Sequence, residues 1–256
     1  MKVIKKELGK DIEKLTIIPI SDVHIGDKTA NIKAFKEVLE RIKNEPNTYT
    51  ILNGDLCNIA LKNSKSDVYS DQLSPMEQVI QVIKFLEPIK DKILVMSNGN
   101  HEQRIMNDTN IDILYLVAKQ LQIEQVYSPS WWYLYLSFGN GEKNRSINYT
   151  LTGYHGSGGG RKSGGKINRL EEMSQVVIAD IYLMGHVHKP IATKGIIYTP
   201  YYQSKTLSKQ EMYYLISNSF VEYDNSYAER MGMIPSNNGI TEAILDGTKK
   251  QIKLIL

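Results

Sequence analysis

Short apolar runs alternate with amphipathic stretches over the first two-thirds of the chain. Three of the apolar runs have the length of buried strands and lie at residues 15–20, 48–55 and 92–101. Three stretches with apolar residues at helical spacing or with helix-start residues predict helices, at residues 31–43, 74–89 and 111–122. This alternation is typical of a mixed α/β fold.

The pattern changes from about residue 131 onward, where strands come closer together. Three more strands are predicted at residues 131–138, 146–155 and 179–188, with a short helix at residues 167–177. After Pro190 follow short β-like runs rich in Tyr and Thr, and Asp246-Gly247 indicates a hairpin near the end. We therefore expect two sheets packed face to face with helices outside, in a single domain over residues 1–256. In this domain the segment 189–256 forms a C-terminal β-rich part.

The amino-acid composition excludes several classes of protein. The 256 residues are 41% hydrophobic and 23% charged, which is typical of a globular chain. The formal net charge of +3 is too small to indicate nucleic-acid binding by itself. Cys57 is the one cysteine, so an intramolecular disulfide framework is excluded. Neither a signal peptide nor a membrane-spanning run is evident, and we expect a cytoplasmic protein without a membrane partner.

The five histidines are the main candidates for functional residues. All five lie at or just beyond the end of a predicted strand, next to Asp, Asn or Gly, at positions His24, His101, His155, His186 and His188. Asp22 and His24 are two residues apart, so their side chains face the same side of an extended segment. Asp55 and Asn100 also stand at strand ends. One such histidine is ordinarily a hydrogen-bonded structural residue, but the shared context predicts a common metal site.

The types of ligand indicate the metal. Carboxylates, imidazoles and an amide oxygen without a thiolate suit Mn²⁺, Fe or Zn²⁺. Six or seven ligands are too many for one tetrahedral ion and suit two divalent ions that share a bridging carboxylate. Two ions ~3.5–4 Å apart activate a bridging water and clamp the oxygens of a phosphoryl group. We expect two divalent ions, with Mn²⁺ favoured.

The ordered series SDVH, NGD, GNHE, GYHG and GHVH, within residues 22–188, resembles the calcineurin-like metallophosphoesterase superfamily. The resemblance implies a four-layer α-β-β-α sandwich with a dinuclear site at the strand ends. It assigns one ion to Asp22, His24 and His188, the other to Asn100, His155 and His186, and the bridging role to Asp55. It also implies that His101 binds phosphate and assists the leaving oxygen, and that Glu102 is the acidic residue that orients His101.

The glycine-rich stretch 155–166 has two interpretations. It is not a P-loop, because Ile167 stands where a Ser or Thr would hold Mg²⁺. It is either a surface loop or a phosphate-handling loop in which basic side chains contact the substrate. The candidate substrate-binding residues are Arg104, Arg161, Lys162 and Lys166. Loops at 57–73, 103–110, 156–166 and 199–210 are expected to form the substrate surface.

Three functions are compatible with these residues. The GNHE motif and the basic loop favour a phosphodiesterase whose substrates include DNA or RNA ends, as in the nuclease-like branch of the superfamily. The alternative enzyme is a phosphomonoesterase of nucleotides or other small phosphate esters. The alternative from another class is a catalytically silent metalloprotein that binds a nucleotide or a partner. The His101–Glu102 pair argues against a silent protein, since binding alone does not need an acid.

Overall fold

The computed structural model describes residues 1–61, 69, 71–158, 163–232, 234–235 and 239–256. Within these residues the strands are β1 (Lys2–Glu7), β2 (Lys14–Ile20), β3 (Thr48–Asn53), β4 (Ile93–Ser97), β5 (Tyr127–Ser128), β6 (Trp132–Phe138), β7 (Ile147–Gly153), β8 (Ile181–Met184), β9 (Ile191–Tyr201), β10 (Thr206–Ile216), β11 (Glu242–Asp246) and β12 (Ile252–Ile255). The helices are α1 (Ile32–Asn44), α2 (Pro75–Leu86), α3 (Asn100–Thr109), α4 (Ile113–Gln120), α5 (Ser163–Glu172) and α6 (Tyr227–Arg230). None of the helices described has both the length and the apolar character needed to cross a bilayer.

The strands form two mixed sheets of six strands each. The first has the order β1-β6-β7-β8-β10-β9 and the second the order β12-β11-β2-β3-β4-β5. In the second sheet β2, β3, β4 and β5 are parallel neighbours, so their carboxyl ends meet at one edge. Helices α1 and α4 contact β3 and β4, and α5 contacts β8 and β10. The expected fold of two mixed sheets flanked by helices is confirmed.

Alternate side chains of the strands form the inner and outer layers. In β8, Leu183 packs into the large core between the sheets, while Tyr182 and Met184 belong to a second cluster that includes Leu170 of α5. This alternation follows from the two-residue repeat of a strand. Each fully buried side chain of this kind contributes about 1.5–3 kcal/mol of transfer free energy. Strand β8 is therefore buried on both faces of its sheet.

Several elements differ from the sequence expectation. The third predicted strand ends at Ser97, and the chain turns at Gly99 into helix α3, which takes in the expected loop 103–110. Strand β1 was not expected, because Ile4 is its one fully buried residue. Helix α5 begins at Ser163 and so includes the end of the glycine-rich stretch.

Strands β9 and β10 form a long ribbon that changes one expectation. They pair with each other over all eleven positions, whereas β8 pairs only with Tyr213–Ile216 of β10. The seven residues Thr206–Met212 therefore extend ~23 Å beyond β8. Because β10 is parallel to β8, the turn at 202–205 lies at the edge opposite the carboxyl end of β8. Residues 199–210 therefore lie away from the carboxyl end of β8, which precedes His186 and His188, contrary to the expectation that they border the same surface as the other loops.

Candidate metal centre

All seven predicted metal ligands follow strands at the same edge of the molecule. Asp22 and His24 come after β2, Asp55 comes after β3, and Asn100 begins the helix after β4. From the other sheet, His155 follows β7, and the pair His186 and His188 follows β8. The edges of the two sheets thus bring residues more than 160 positions apart within contact distance.

Most of these ligands have an unusual backbone conformation. Five of the seven have positive φ angles between 49° and 67°, namely Asp22, His24, Asp55, His186 and His188. A residue other than glycine in this region costs on the order of 1–3 kcal/mol and occurs where the surrounding structure requires it. Here the backbone N–H groups of Val23 and His24 both donate to the carbonyl of Asp55, at 2.9 and 3.1 Å. These backbone hydrogen bonds therefore hold the loop after β2 against the loop after β3 despite the strain.

Asp22, His24 and His188 form the first cluster. Oδ1 of Asp22 lies 3.1 Å from Nε2 of His188 and 3.9 Å from Nε2 of His24. The two Nε2 atoms are 3.3 Å apart. Among the described residues, the buried Oδ1 of Asp22 accepts no hydrogen bond of normal geometry. A buried carboxylate oxygen facing ring nitrogens in this way fits a cation, which would satisfy all three groups.

Asp55, Asn100, His155 and His186 form the second cluster. Nε2 of His155 is 3.0 Å from Oδ2 of Asp55 and 3.1 Å from Oδ1 of Asn100. The donor atoms of Asp55, His155 and His186 lie within 4.8 Å of one another. Oδ2 of Asp55 is also 4.0 Å from Nε2 of His24, so this carboxylate connects the two clusters. The donor set therefore fits divalent cations.

The Nδ1 ring nitrogens of two predicted ligands face acceptors within the protein. Nδ1 of His155 faces the backbone carbonyl of Asn53 at 2.7 Å, and Nδ1 of His24 lies 3.2 Å from Oδ1 of Asn58. A proton on Nδ1 leaves the lone pair of Nε2 for the metal. Both contacts therefore favour the tautomer that a metal ligand requires.

The buried charges are strongly coupled. Burial would lower the pKa of His155, but Asp55 and Asp22 outweigh burial and raise that pKa to about 10. Burial would likewise raise the pKa of Asp22, but His188 and His155 outweigh it, and the pKa is lowered. Burial and the charge of His101 lower the pKa of His24 to about 3. In the protein alone, protonated His155 thus supplies positive charge that divalent ions would replace.

His101 and Glu102 differ from the expected pairing. Nδ1 of His101 faces the backbone carbonyl of Asn58, and its Nε2 lies 3.8 Å from Oδ2 of Asp55. The carboxylate of Glu102 instead accepts hydrogen bonds from the backbone N–H groups of Asp55, Cys57 and Gly99, at 2.9, 3.0 and 3.0 Å. Glu102 thus holds the loops after β3 and β4 together. The backbone carbonyl of Asn58, and not the carboxylate of Glu102, orients His101. Burial and Asp55 raise the pKa of Glu102 to about 7.

The candidate substrate-binding residues have different positions. Nη2 of Arg104 lies 3.1 Å from Nε2 of His101, which places a guanidinium beside the site. Lys166 instead donates from Nζ to the carbonyl of Val187 at 2.8 Å. Arg161 and Lys162 lie outside the described residues.

Several residues of the site were not singled out from the sequence. Asn58 contacts both His24 and His101, and its own amide donates to Asp71 at 2.6 Å. The sequence signal that could have indicated Asn58 is its position three residues after Asp55. Ser21 donates to Oδ2 of Asp22 and lies 2.7 Å from Oγ of Ser217, which is 196 positions away in the sequence, so no local pattern indicates Ser217.

No curated protein sequence matches the chain. Similar solved structures include a predicted phosphoesterase from Streptococcus pneumoniae (16% identity, 95% of this chain and 90% of that chain, TM-score 0.40). A Vps29 mutant from Entamoeba histolytica is also similar (12%, 94% and 98%, TM-score 0.40), as is the Plasmodium inner-membrane-complex anchor GAP50 (12%, 94% and 83%, TM-score 0.44).

The match to a protein family is more specific. The sequence model described as calcineurin-like phosphoesterase matches residues 15–190, which is more than half of the chain. This stretch begins with β2 and ends just after His188, so it includes every residue of both clusters. The family is metal-dependent and acts on phosphate esters, in agreement with the donor set described above. The chain therefore belongs to the calcineurin-like phosphoesterase family.

Proposed function

We propose that this protein is a dinuclear phosphoesterase that hydrolyses phosphodiesters. One ion would be held by Asp22, His24 and His188, and the other by Asn100, His155 and His186. The observation that carries the proposal is the position of Asp55, whose carboxylate lies 3.0 Å from His155 and 4.0 Å from His24, between the two clusters. Two divalent ions, when bound, supply Lewis-acid charge and an activated water for attack on phosphorus.

The charge around the site supports a diester substrate. In the described part of the chain, Arg104 is the guanidinium beside His101. With two divalent ions bound, the carboxylates of Asp22 and Asp55 and one hydroxide would leave a charge of about +1 at the metal centre, which balances the single negative charge of a phosphodiester. DNA and RNA ends are the candidate substrates of this class. A phosphomonoesterase activity and a silent metalloprotein are the alternatives that the assay below separates.

His101 is proposed to protonate the leaving oxygen. Because Nδ1 faces the carbonyl of Asn58, Nε2 is the ring atom on the side of the site, where substrate would compete with its 3.1 Å contact to Arg104. Burial lowers the pKa of His101 in the protein alone, and Asp55 partly opposes that effect. A bound phosphate anion next to Nε2 favours the imidazolium, so the proton becomes available when substrate binds. Arg104 would hold the phosphate beside it.

A comparison of substrates tests the proposal. The Mn²⁺-loaded protein is assayed in parallel on bis-p-nitrophenyl phosphate, p-nitrophenyl phosphate, and single- and double-stranded DNA. Faster cleavage of the diesters supports the proposal. Faster monoester cleavage would establish the phosphomonoesterase instead, and bound ions without turnover of any ester would establish the silent protein.

A second test examines His101. The variant His101→Asn should keep its metal content while kcat falls by about 10²–10⁴-fold for an alkoxide leaving group. The fall should be smaller for p-nitrophenolate, which leaves without a proton. An equal loss with both leaving groups would assign His101 to phosphate binding alone, and a loss of metal would make it a ligand.

A further inference from the structure

Two lysines connect helix α5 to the loop that carries His186 and His188. Nζ of Lys166, in the first turn of α5, donates to the backbone carbonyl of Val187 at 2.8 Å. Nζ of Lys189 donates in the opposite direction, to Oγ of Ser163 at the start of the helix, at 2.7 Å. We name these two reciprocal contacts, Lys166–Val187 and Lys189–Ser163, the lysine clasp.

The loop that the clasp holds is strained and partly exposed. His186 and His188 have φ angles of 67° and 49°, which extended or helical backbone does not provide. The side chain of His188 is 37% exposed, whereas its cluster partner Asp22 is fully buried. Lys166 binds the carbonyl that lies between the two imidazoles in the sequence. Removal of this contact should therefore release both ligands together.

The placement of Lys166 is unfavourable for the helix itself. The first turn of an α-helix favours acidic side chains, because the amino end carries partial positive charge. Helix α5 has no acidic residue in its first turn, and Lys166 occupies it. Burial and the nearby charge of Lys189 lower the pKa of Lys166. Three effects thus oppose a cation at this position: the helix dipole, burial and the charge of Lys189. We infer that the hydrogen bond to the carbonyl of Val187 compensates for them.

We propose that Lys166 and Lys189 are positioning residues that hold the loop 185–189 in the geometry required for metal binding. This inference rests on the proposed metal centre. It assigns the basic end of the glycine-rich stretch to organising the metal site, in place of direct contact with the phosphate. The two roles predict different measurements, since a positioning residue changes metal affinity and a phosphate contact changes KM at saturating metal.

The central variant is Lys166→Met, which keeps the aliphatic stem and removes the ammonium donor. Loss of a group that orients metal ligands typically weakens metal affinity by 10–100-fold, and we expect a loss in that range for Mn²⁺ by calorimetry. Lys166→Arg retains a cationic donor and should recover most of the affinity. Lys205→Met, at the exposed tip of the β9–β10 ribbon, is the matched control and should bind Mn²⁺ like the wild type.

The second contact is tested with a double-mutant cycle. Ser163→Ala removes only the acceptor of Lys189, with no loss of helix propensity. Lys189→Met, Ser163→Ala and the double variant should show similar Mn²⁺ affinities, because each removes the same contact. Fully additive losses would show that the two side chains act independently and would overturn this half of the clasp.

Hydrogen exchange provides a measurement that does not need a metal. The backbone N–H of His186 donates to Oδ2 of Asp22 at 2.9 Å, and that of Gly185 donates to the carbonyl of His155 at 2.8 Å. Peptides covering 185–189 should exchange faster in Lys166→Met than in the wild type, without added ions. The two proposals can fail separately. If the wild-type protein bound no Mn²⁺ but Lys166→Met still exchanged faster, the proposed function would be wrong, and the lysine clasp would remain supported as the structure that holds the loop.

Two results would overturn the inference. One is Lys166→Met with wild-type Mn²⁺ affinity, wild-type exchange and a raised KM for the diester, which would make Lys166 a phosphate contact. The other is wild-type behaviour in all three measurements, which would leave the contact without a role. Melting temperatures and circular dichroism of Lys166→Met and Ser163→Ala identify any variant that fails to fold.

Discussion

The replacement of Gly99 by alanine tests the geometry of the metal centre directly. Gly99 precedes Asn100 and packs against the loop of Asp55. A Cβ built on Gly99 would lie 2.1 Å from Oδ1 of Asp55 and 2.3 Å from its backbone nitrogen. The φ angle of Gly99 is −105°, which alanine adopts without strain. The main effect of Gly99→Ala is therefore the steric contact with Asp55, with a smaller loss because alanine is a poorer N-cap of α3 than glycine.

The size of the effect follows from these distances. Since real Cβ contacts essentially never fall below 3.0 Å, Asp55 or Gly99 must shift by about 1 Å. Metal–ligand distances tolerate about 0.2 Å, so a shift of this size removes Asp55 from at least one ion. We expect Mn²⁺ affinity to fall by at least about 100-fold, more than for a group that only orients a ligand. Overpacking should also destabilise the protein without metal by about 1–3 kcal/mol.

The assay compares Gly99→Ala with Gly164→Ala. Gly164 lies in α5, and a Cβ built there meets nothing within 4 Å. Its replacement should leave Mn²⁺ affinity unchanged and stabilise the helix by about 0.5–1 kcal/mol. Calorimetry gives the affinities, and melting curves with chelator give the stabilities, at about 2–4 °C per kcal/mol. Wild-type Mn²⁺ stoichiometry and affinity in Gly99→Ala would refute the assignment of Asp55 as a shared ligand.

Three further predictions concern the same protein. Asp55→Asn should lose more bound Mn²⁺ than His24→Ala in metal analysis, because Asp55 lies between both clusters; equal retention would argue against a shared carboxylate. The pKa of His155 is raised from its ordinary value to about 10, so below that pH a metal must displace its proton. Apparent Mn²⁺ affinity should thus rise with pH up to about 10, with proton release visible by calorimetry in buffers of different ionisation enthalpy; a pH-independent affinity would contradict this. Replacement of residues 202–205 by a two-residue Asn-Gly turn should leave kcat/KM for a small diester within about twofold, and a larger loss would mean that the ribbon reaches the substrate.

Features that depend on local chemistry could be predicted from the sequence. Periodicity identified most strands and helices, since burial of one strand face or helix stripe leaves a repeat of two or 3.6 residues. Imidazoles and carboxylates directly after strands indicated a common metal centre, because neighbouring strands end at one edge of a sheet. The edge strand β1 was missed because Ile4 alone is fully buried in it.

Features that depend on long-range packing were decided by the tertiary structure. Glu102 follows His101 directly, yet its carboxylate binds the N–H groups of Asp55, Cys57 and Gly99, because the turn into α3 points it beneath the loop after β3. Lys166 belongs to a basic, glycine-rich stretch, but the packing of α5 on β8 and β10 brings it to the carbonyl of Val187. Sequence specifies which groups are available and the local backbone that carries them. The partner that each group finds is set by how the two sheets and their helices pack, because burial selects among donors and acceptors that lie tens to hundreds of residues apart.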